Sequence, residues 1–132
     1  MYNEAKFQTE FGHWVKANKW SKQGLYELKI CKEKRFNLKK IAKHQLNNLH
    51  MVKHGCFYYK ISDYSIDQKP GDCVILYKGY GYLVLMFYRP RETKSFYMID
   101  IDKILALIKV NSKSITENEA SVLADCIGIL KN

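Results

Sequence analysis

No aspartate occurs before Asp63, and the first 62 residues carry only four acids, Glu4, Glu10, Glu27 and Glu33. The chain also lacks any CxxC pair, internal repeat, low-complexity tract or Pro/Gly/Ser-rich linker. Each absence excludes something. Without a linker, the 132 residues read as a single domain spanning 1–132, long enough and apolar enough (47% hydrophobic) to bury a core without staples. Without a CxxC pair, the four cysteines Cys31, Cys56, Cys73 and Cys126, each in an apolar neighbourhood, are expected to be small buried hydrophobes in a reducing compartment. The most apolar segment, DCVILYKGYGYLVLMFY, is broken by Lys78 and two glycines before it reaches membrane-spanning length. The opening residues show no basic, apolar and small-residue order of a secretory leader. A soluble protein of the cytoplasm is therefore expected.

What is abundant is positive charge, and it is segregated. The formal net charge is +9; residues 1–62 hold 13 Lys and Arg against four acids, whereas residues 63–132 hold nine of each. Solvated surface lysine explains a high count but not its confinement to one half. A one-sided basic field is the footprint of a polyanion, with nucleic acid the leading candidate. A second cluster, His50, His54 and Cys56 in HMVKHGC, sets two imidazoles one helical turn apart. With no second cysteine pair nearby it is a weak zinc signal.

Apolar periodicity predicts an amphipathic helix from about Asn3 to Trp20, with Phe7, Phe11, Trp14 and Val15 on one face. A strand GLYELKIC follows, then a basic loop, KEKR. A second helix is expected from near Asn37, striped by Leu38, Ile41, Leu46, Leu49 and Val52 and stopped at Gly55. CFYYKIS reads as a strand. DCVIL is expected to fold back through YKGYG onto YLVLMFY as a hairpin, and FYMIDID reads as a further strand. Asp102 is expected to cap a helix KILALIKV, and Thr116 with Glu119 forms a capping box for a last helix, ENEASVLADCIGIL. The tyrosines Tyr58, Tyr59, Tyr80, Tyr82 and Tyr88 are expected mainly in sheet packing. The sum is an α/β domain with a mixed central sheet flanked by helices.

In GLYELKIC the side chains of Glu27 and Lys29, two apart, share one strand face while Leu28 takes the other. An acid beside a lysine is either a surface ion pair or part of a metal-dependent site. Taken with Glu10 on the first helix, Phe36 and His44-Gln45 after the strand, and Pro70-Gly71-Asp72, this Glu27-Leu28-Lys29 resembles the PD-(D/E)xK nuclease superfamily, and within it the Holliday junction resolvases and related phage recombination nucleases. The likeness spans about residues 4–90 with a shuffled order, since the aspartate follows the ExK strand instead of preceding it.

The resemblance implies a restriction-endonuclease-like core and a Mg²⁺ (or Mn²⁺) dependent DNA endonuclease acting on branched DNA. It assigns Glu27 and Asp72 as metal ligands, with Asp63 the alternative to Asp72. Lys29 would act on the attacking water or the phosphorane, Glu10 as a further carboxylate, and Gln45 in positioning. Such chemistry needs a hard cation held by one or two carboxylates. Lys32, Lys34, Arg35, Lys39, Lys40, Lys43 and His44 are the expected DNA contacts, and paired cuts in a two-fold junction imply a homodimer. The rival expectation is a nucleic-acid-binding protein that keeps the basic face without catalysis.

Overall fold

The computed structural model describes residues 1–61 and 72–131. Asp63, Pro70 and Gly71 lie outside the described residues. The chain is α/β, with a four-stranded mixed sheet flanked by helices. The elements run α1 (Glu4–Ala17), β1 (Gly24–Cys31), β2 (Arg35–Asn37), a 3-10 turn (Leu38–Lys40), α2 (Lys43–His54), β3 (Cys56–Ile61), β4 (Asp72–Tyr77) and β5 (Tyr80–Phe87). There follow β6 (Lys94–Asp100), α3 (Ile101–Lys109), β7 (Ser114–Thr116), α4 (Glu117–Leu123) and β8 (Cys126–Leu130). The main sheet has the order β1-β5-β6-β8, with β1 and β5 parallel and the other neighbours antiparallel. Parallel neighbours need a long crossover, which α2 and the β3–β4 hairpin supply.

β5 sits at the centre and is buried on both faces from Gly81 to Phe87, so its YLVLMF run is apolar without alternation. Leu83 and Leu85 join Leu49 of α2 and Ile101 and Ile104 of α3 on one face. Val84 and Met86 join Phe7 and Phe11 of α1, with Phe96 and Met98 of β6, on the other. A Cβ at Gly81 would come within 2.4 Å of the Leu49 carbonyl oxygen, so only glycine lets α2 lie this close to β5.

Several expectations need correction. DCVIL does not pair with YLVLMFY: β4 pairs with β3, because both edges of β5 are taken by β1 and β6. The second helix begins at Lys43, not Asn37. Phe36 opens no helix; it is buried in β2 opposite Ile115, and Asn37 caps the 3-10 turn by accepting from the Lys39 amide. The cap of α3 is Asp100, whose carboxylate accepts from the Asp102 amide at 2.8 Å. The Thr116–Glu119 capping box is present, but α4 ends at Leu123, and Cys126–Leu130 forms an edge strand on β6. Its alternation, Ile127 and Ile129 outward and Gly128 and Leu130 inward, is a strand period that the neighbouring helical pattern obscures.

The cysteines divide: Cys31 is buried and Cys126 half-buried, whereas Cys56 and Cys73 are exposed on the hairpin. The tyrosines divide too. Tyr82 is buried and Tyr88 stacks on Tyr2 at 4.7 Å, but Tyr58 and Tyr59 are more than half exposed.

Candidate functional site on the edge strand

β1 is the edge of the sheet, so one side of it has no strand neighbour among the described residues. Leu25 and Cys31 pack with the cluster beneath α2, and the two-residue period puts Glu27 and Lys29 on that same face. Glu27 Oε1 lies 3.8 Å from Lys29 Nζ and accepts a hydrogen bond of 2.7 Å from Gln45 Nε2. Gln45 stands in the first turn of α2. Its Oε1 accepts from the Ala42 amide at 2.9 Å, the half of a capping box that the third helical residue supplies, while Ala42 has no side-chain acceptor to return to the helix start. One amide thus ends the backbone accounting of a helix and turns its other end on the carboxylate of an edge strand. Glu27 Oε2 has no hydrogen-bond donor among the described residues.

Burial raises the Glu27 carboxyl above its ordinary range, and the charge of Glu4 adds to the effect against partial relief from Lys29 and His44. Glu4, exposed in the first turn of α1, was not among the sequence candidates. Its only signal in the sequence is an acid at a helix start, which is also what an ordinary helix N-terminus carries. Glu27, Glu4, Lys29, His44 and Gln45 therefore form one electrostatic neighbourhood.

Glu10 is elsewhere. Both its oxygens are held by Lys94 Nζ, at 2.7 and 2.9 Å, on the α1 side of the sheet. Asp72 stands in a different sheet from Glu27. It is exposed in the outermost pair of the β3–β4 hairpin, opposite Ile61, five residues along the strand from the Cys56–Tyr77 pair at its root. At ~3.3 Å per residue that is about 16 Å of hairpin, in a different sheet from β1. Among the described residues Glu27 and Asp72 share no hydrogen-bond or ion-pair partner, and Asp63 lies outside the described residues.

Lys34, Lys39, Lys40, Lys43 and His44 are exposed around the β2–α2 segment. Two of the expected DNA contacts are engaged within the protein. Arg35 Nε donates to Ser114 Oγ at 2.7 Å and its guanidinium lies 3.6 Å from Glu119, while Lys32 Nζ donates to the Tyr2 carbonyl at 3.2 Å. Lys39 and Lys43 border a groove of about 510 Å³ floored by Leu38, Ile41, Leu46 and Ile108, and Lys113 completes its basic rim. Lys113 escaped sequence reasoning because it lies in the electrically balanced half and arrives by the β2–β7 pairing.

Among the described residues, Glu27 and Glu4 do not stand in any preassembled group of three metal-ligating side chains. One carboxylate with an oxygen lacking a donor can offer a single ligand to a Mg²⁺ ion that keeps most of its waters, not an all-protein cage. No helix among them is long and apolar enough to cross a membrane. No protein-family model, no curated protein and no solved structure matches the chain.

Proposed function

We propose that the chain is a Mg²⁺- or Mn²⁺-dependent endonuclease of branched DNA with a restriction-endonuclease-like core, its site built on Glu27, Lys29 and Gln45. The observation that carries this reading is the 2.7 Å bond from Gln45 to Glu27 on an edge strand, with Lys29 alongside and a lysine-rich helix start above it. A surface ion pair has no use for a helix-borne amide that fixes one carboxylate oxygen and leaves the other without a donor. A bound Mg²⁺ supplies polarisation of the scissile phosphate and a more acidic water.

The residues do the rest. Glu27 Oε2 offers a hard oxygen ligand. Gln45 holds Glu27 in one rotamer. Lys29 carries a fixed positive charge beside the place where negative charge grows on the phosphate, so its contribution is larger in the transition state than in the ground state. Lys34, Lys39, Lys40, Lys43 and His44 bind the phosphate backbone, which sets affinity and its salt dependence but not the chemistry. The exposed Tyr58, Tyr59 and Tyr77 of the hairpin offer stacking faces for unpaired bases. Symmetric cutting of a four-way junction calls for two copies of the chain.

A binding module without catalysis is the second reading. It is favoured by the carboxylate count: the position before the ExK strand that a nuclease would fill with aspartate has none, and Asp72 stands in a different sheet. Incubation of a labelled four-way junction with the protein and Mg²⁺, with EDTA as control, separates the two. Metal-dependent nicking that Glu27→Gln abolishes is the expected result. Salt-sensitive binding with no nicking in Mg²⁺ or Mn²⁺ establishes the module, and absence of any binding at low salt removes both.

A further inference from the structure

The C-terminal turn of α2 and the first turn of α3 meet on a set of side chains that the nuclease reading does not use. His50 and His54, one turn apart on α2, have ring centroids 4.6 Å apart. Asp102 faces them from α3, its Oδ1 lying 2.8 Å from His54 Nε2. One ligand atom from each of the three lies within 4.8 Å of the others. We propose that His50, His54 and Asp102 form a binding site for a borderline divalent transition ion, Zn²⁺ foremost, that clamps α2 to α3.

The donor set fits that ion class. Two imidazoles and one carboxylate suit Zn²⁺ better than Mg²⁺, which prefers oxygen alone, and three protein ligands leave one position of a tetrahedron to water. Zinc bonds of about 2.0–2.1 Å place tetrahedral ligand atoms about 3.3 Å apart. The three side chains therefore close by a small rotation of imidazoles that are exposed and free to turn. Cys56, which the sequence sets beside this histidine pair, is not among the three residues: it enters β3 beyond Gly55, and an aspartate from another helix takes its place.

The surroundings are arranged for a ligand as well. Lys53 Nζ holds Asp102 Oδ2 at 2.7 Å and both oxygens of Asp100 at 2.8 and 2.9 Å, while His54 Nε2 lies 2.8 Å from Oδ1 and 3.0 Å from Oδ2, so Oδ1 is the Asp102 oxygen without a lysine partner. Outer contacts of this kind fix the orientation of a ligating carboxylate. Two aspartates against one lysine leave the cluster a net negative charge, and the carbonyl end of α2 adds a partial one. A divalent cation at this place balances both.

Calorimetric titration of the full chain with Zn²⁺ in millimolar Mg²⁺, paired with Co²⁺ absorption spectra, tests the site. One ion per chain is expected, with the intense visible bands of low-coordinate Co²⁺ and a Tm that rises with Zn²⁺ concentration. His50→Gln is expected to weaken binding at least tenfold while leaving the metal-free Tm unchanged, since His50 has no hydrogen-bond partner among the described residues. Asp102→Asn should weaken binding to a similar extent, with a lower metal-free Tm because it gives up the ion pair to Lys53. Glu27→Gln and the double variant Cys56→Ser, Cys73→Ser should bind as the parent does. Undiminished binding in a folded His50→Gln variant, loss of binding in the Glu27 or cysteine variants, or no uptake of either ion would each overturn the assignment. None of these readouts depends on DNA cleavage, so failure here and failure of the nuclease reading are distinct.

Discussion

Two glutamate–lysine pairs lie on opposite faces of one sheet and are built to opposite ends. Glu10 and Lys94 form a saturated pair: both carboxylate oxygens accept from the ammonium, which also sits 4.7 Å from the Tyr2 ring centre. Burial opposes ionisation of Glu10, but the Lys94 ammonium on both its oxygens outweighs it and holds the carboxyl below its ordinary range. Glu27 and Lys29 are 3.8 Å apart, an amide has taken one carboxylate oxygen, and burial pushes the carboxyl up. A pair whose charges already satisfy each other contributes to stability and has nothing left to offer a ligand. A pair held apart and partly desolvated has coordinating capacity, at a cost in stability that the surrounding fold must carry.

The largest effect that sharpens this contrast is on cleavage. Glu27→Gln and Lys29→Ala should each lower single-turnover nicking of junction DNA by about 10²-fold or more, the range for removing a group that acts on transition-state charge. Glu10→Gln should stay within a few-fold of the parent. Ca²⁺-supported binding, measured in parallel, should change little in all three, because the lysine-rich segment and not the site sets affinity. Equal loss in the Glu10 and Glu27 variants would erase the distinction between the pairs.

Next comes the device that places α2. Gly81→Ala drives a methyl group against the Leu49 carbonyl, a backbone atom that cannot turn aside. Urea unfolding should show a loss near the upper end of about 1–3 kcal/mol, as for overpacked cores. Because α2 carries Gln45, nicking should fall as well in the folded fraction. Full activity in a destabilised Gly81→Ala variant would mean that the Gln45–Glu27 bond is dispensable.

Stability should then separate the pairs in the reverse sense. Lys94→Met strands a half-buried carboxylate and should cost about 1–2 kcal/mol, between the values for exposed and buried ion pairs. Lys29→Met, whose lysine makes no hydrogen bond to Glu27, should lie within about 0.5 kcal/mol of the parent by the same denaturation assay. An equal cost would mark both pairs as structural.

How much of this the sequence discloses depends on how local the cause is. The face shared by Glu27 and Lys29 follows from strand period alone, α1 from its apolar spacing with Asn3 as cap, and the Thr116–Glu119 box from two side chains three apart. Partners across the fold are a different matter. Asp72 reads as a site residue only if β4 joins the main sheet, and that is decided by β1 and β6 occupying both edges of β5, tens of residues away. The ADCIGIL segment carries an apolar pattern compatible with helix extension, and the open edge of β6 makes it a strand. Gln45 was legible as a residue behind the strand. Its double role was not, because the bond to Glu27 depends on how α2 is laid against β1.

The smallest effect is the most discriminating about Glu10, since it isolates one carboxyl. A glutamate whose folded-state pKa lies below its unfolded value contributes stability that is complete above the unfolded pKa and is lost as pH falls through the folded one. Glu10 is of this kind, held down by Lys94. The urea midpoint of the parent should therefore fall on acidification below the ordinary carboxylate range more than that of Glu10→Gln. The difference between the two should shrink by a few tenths of a kcal/mol, up to about 1, as the group protonates. The subtraction matters because other carboxylates, Asp125 and Glu119 among them, are also held low and destabilise both proteins together on acidification. Parallel curves for parent and variant down to the acid limit would show that Lys94 gives Glu10 no net support, and the pair would then rest on packing over Tyr2 alone.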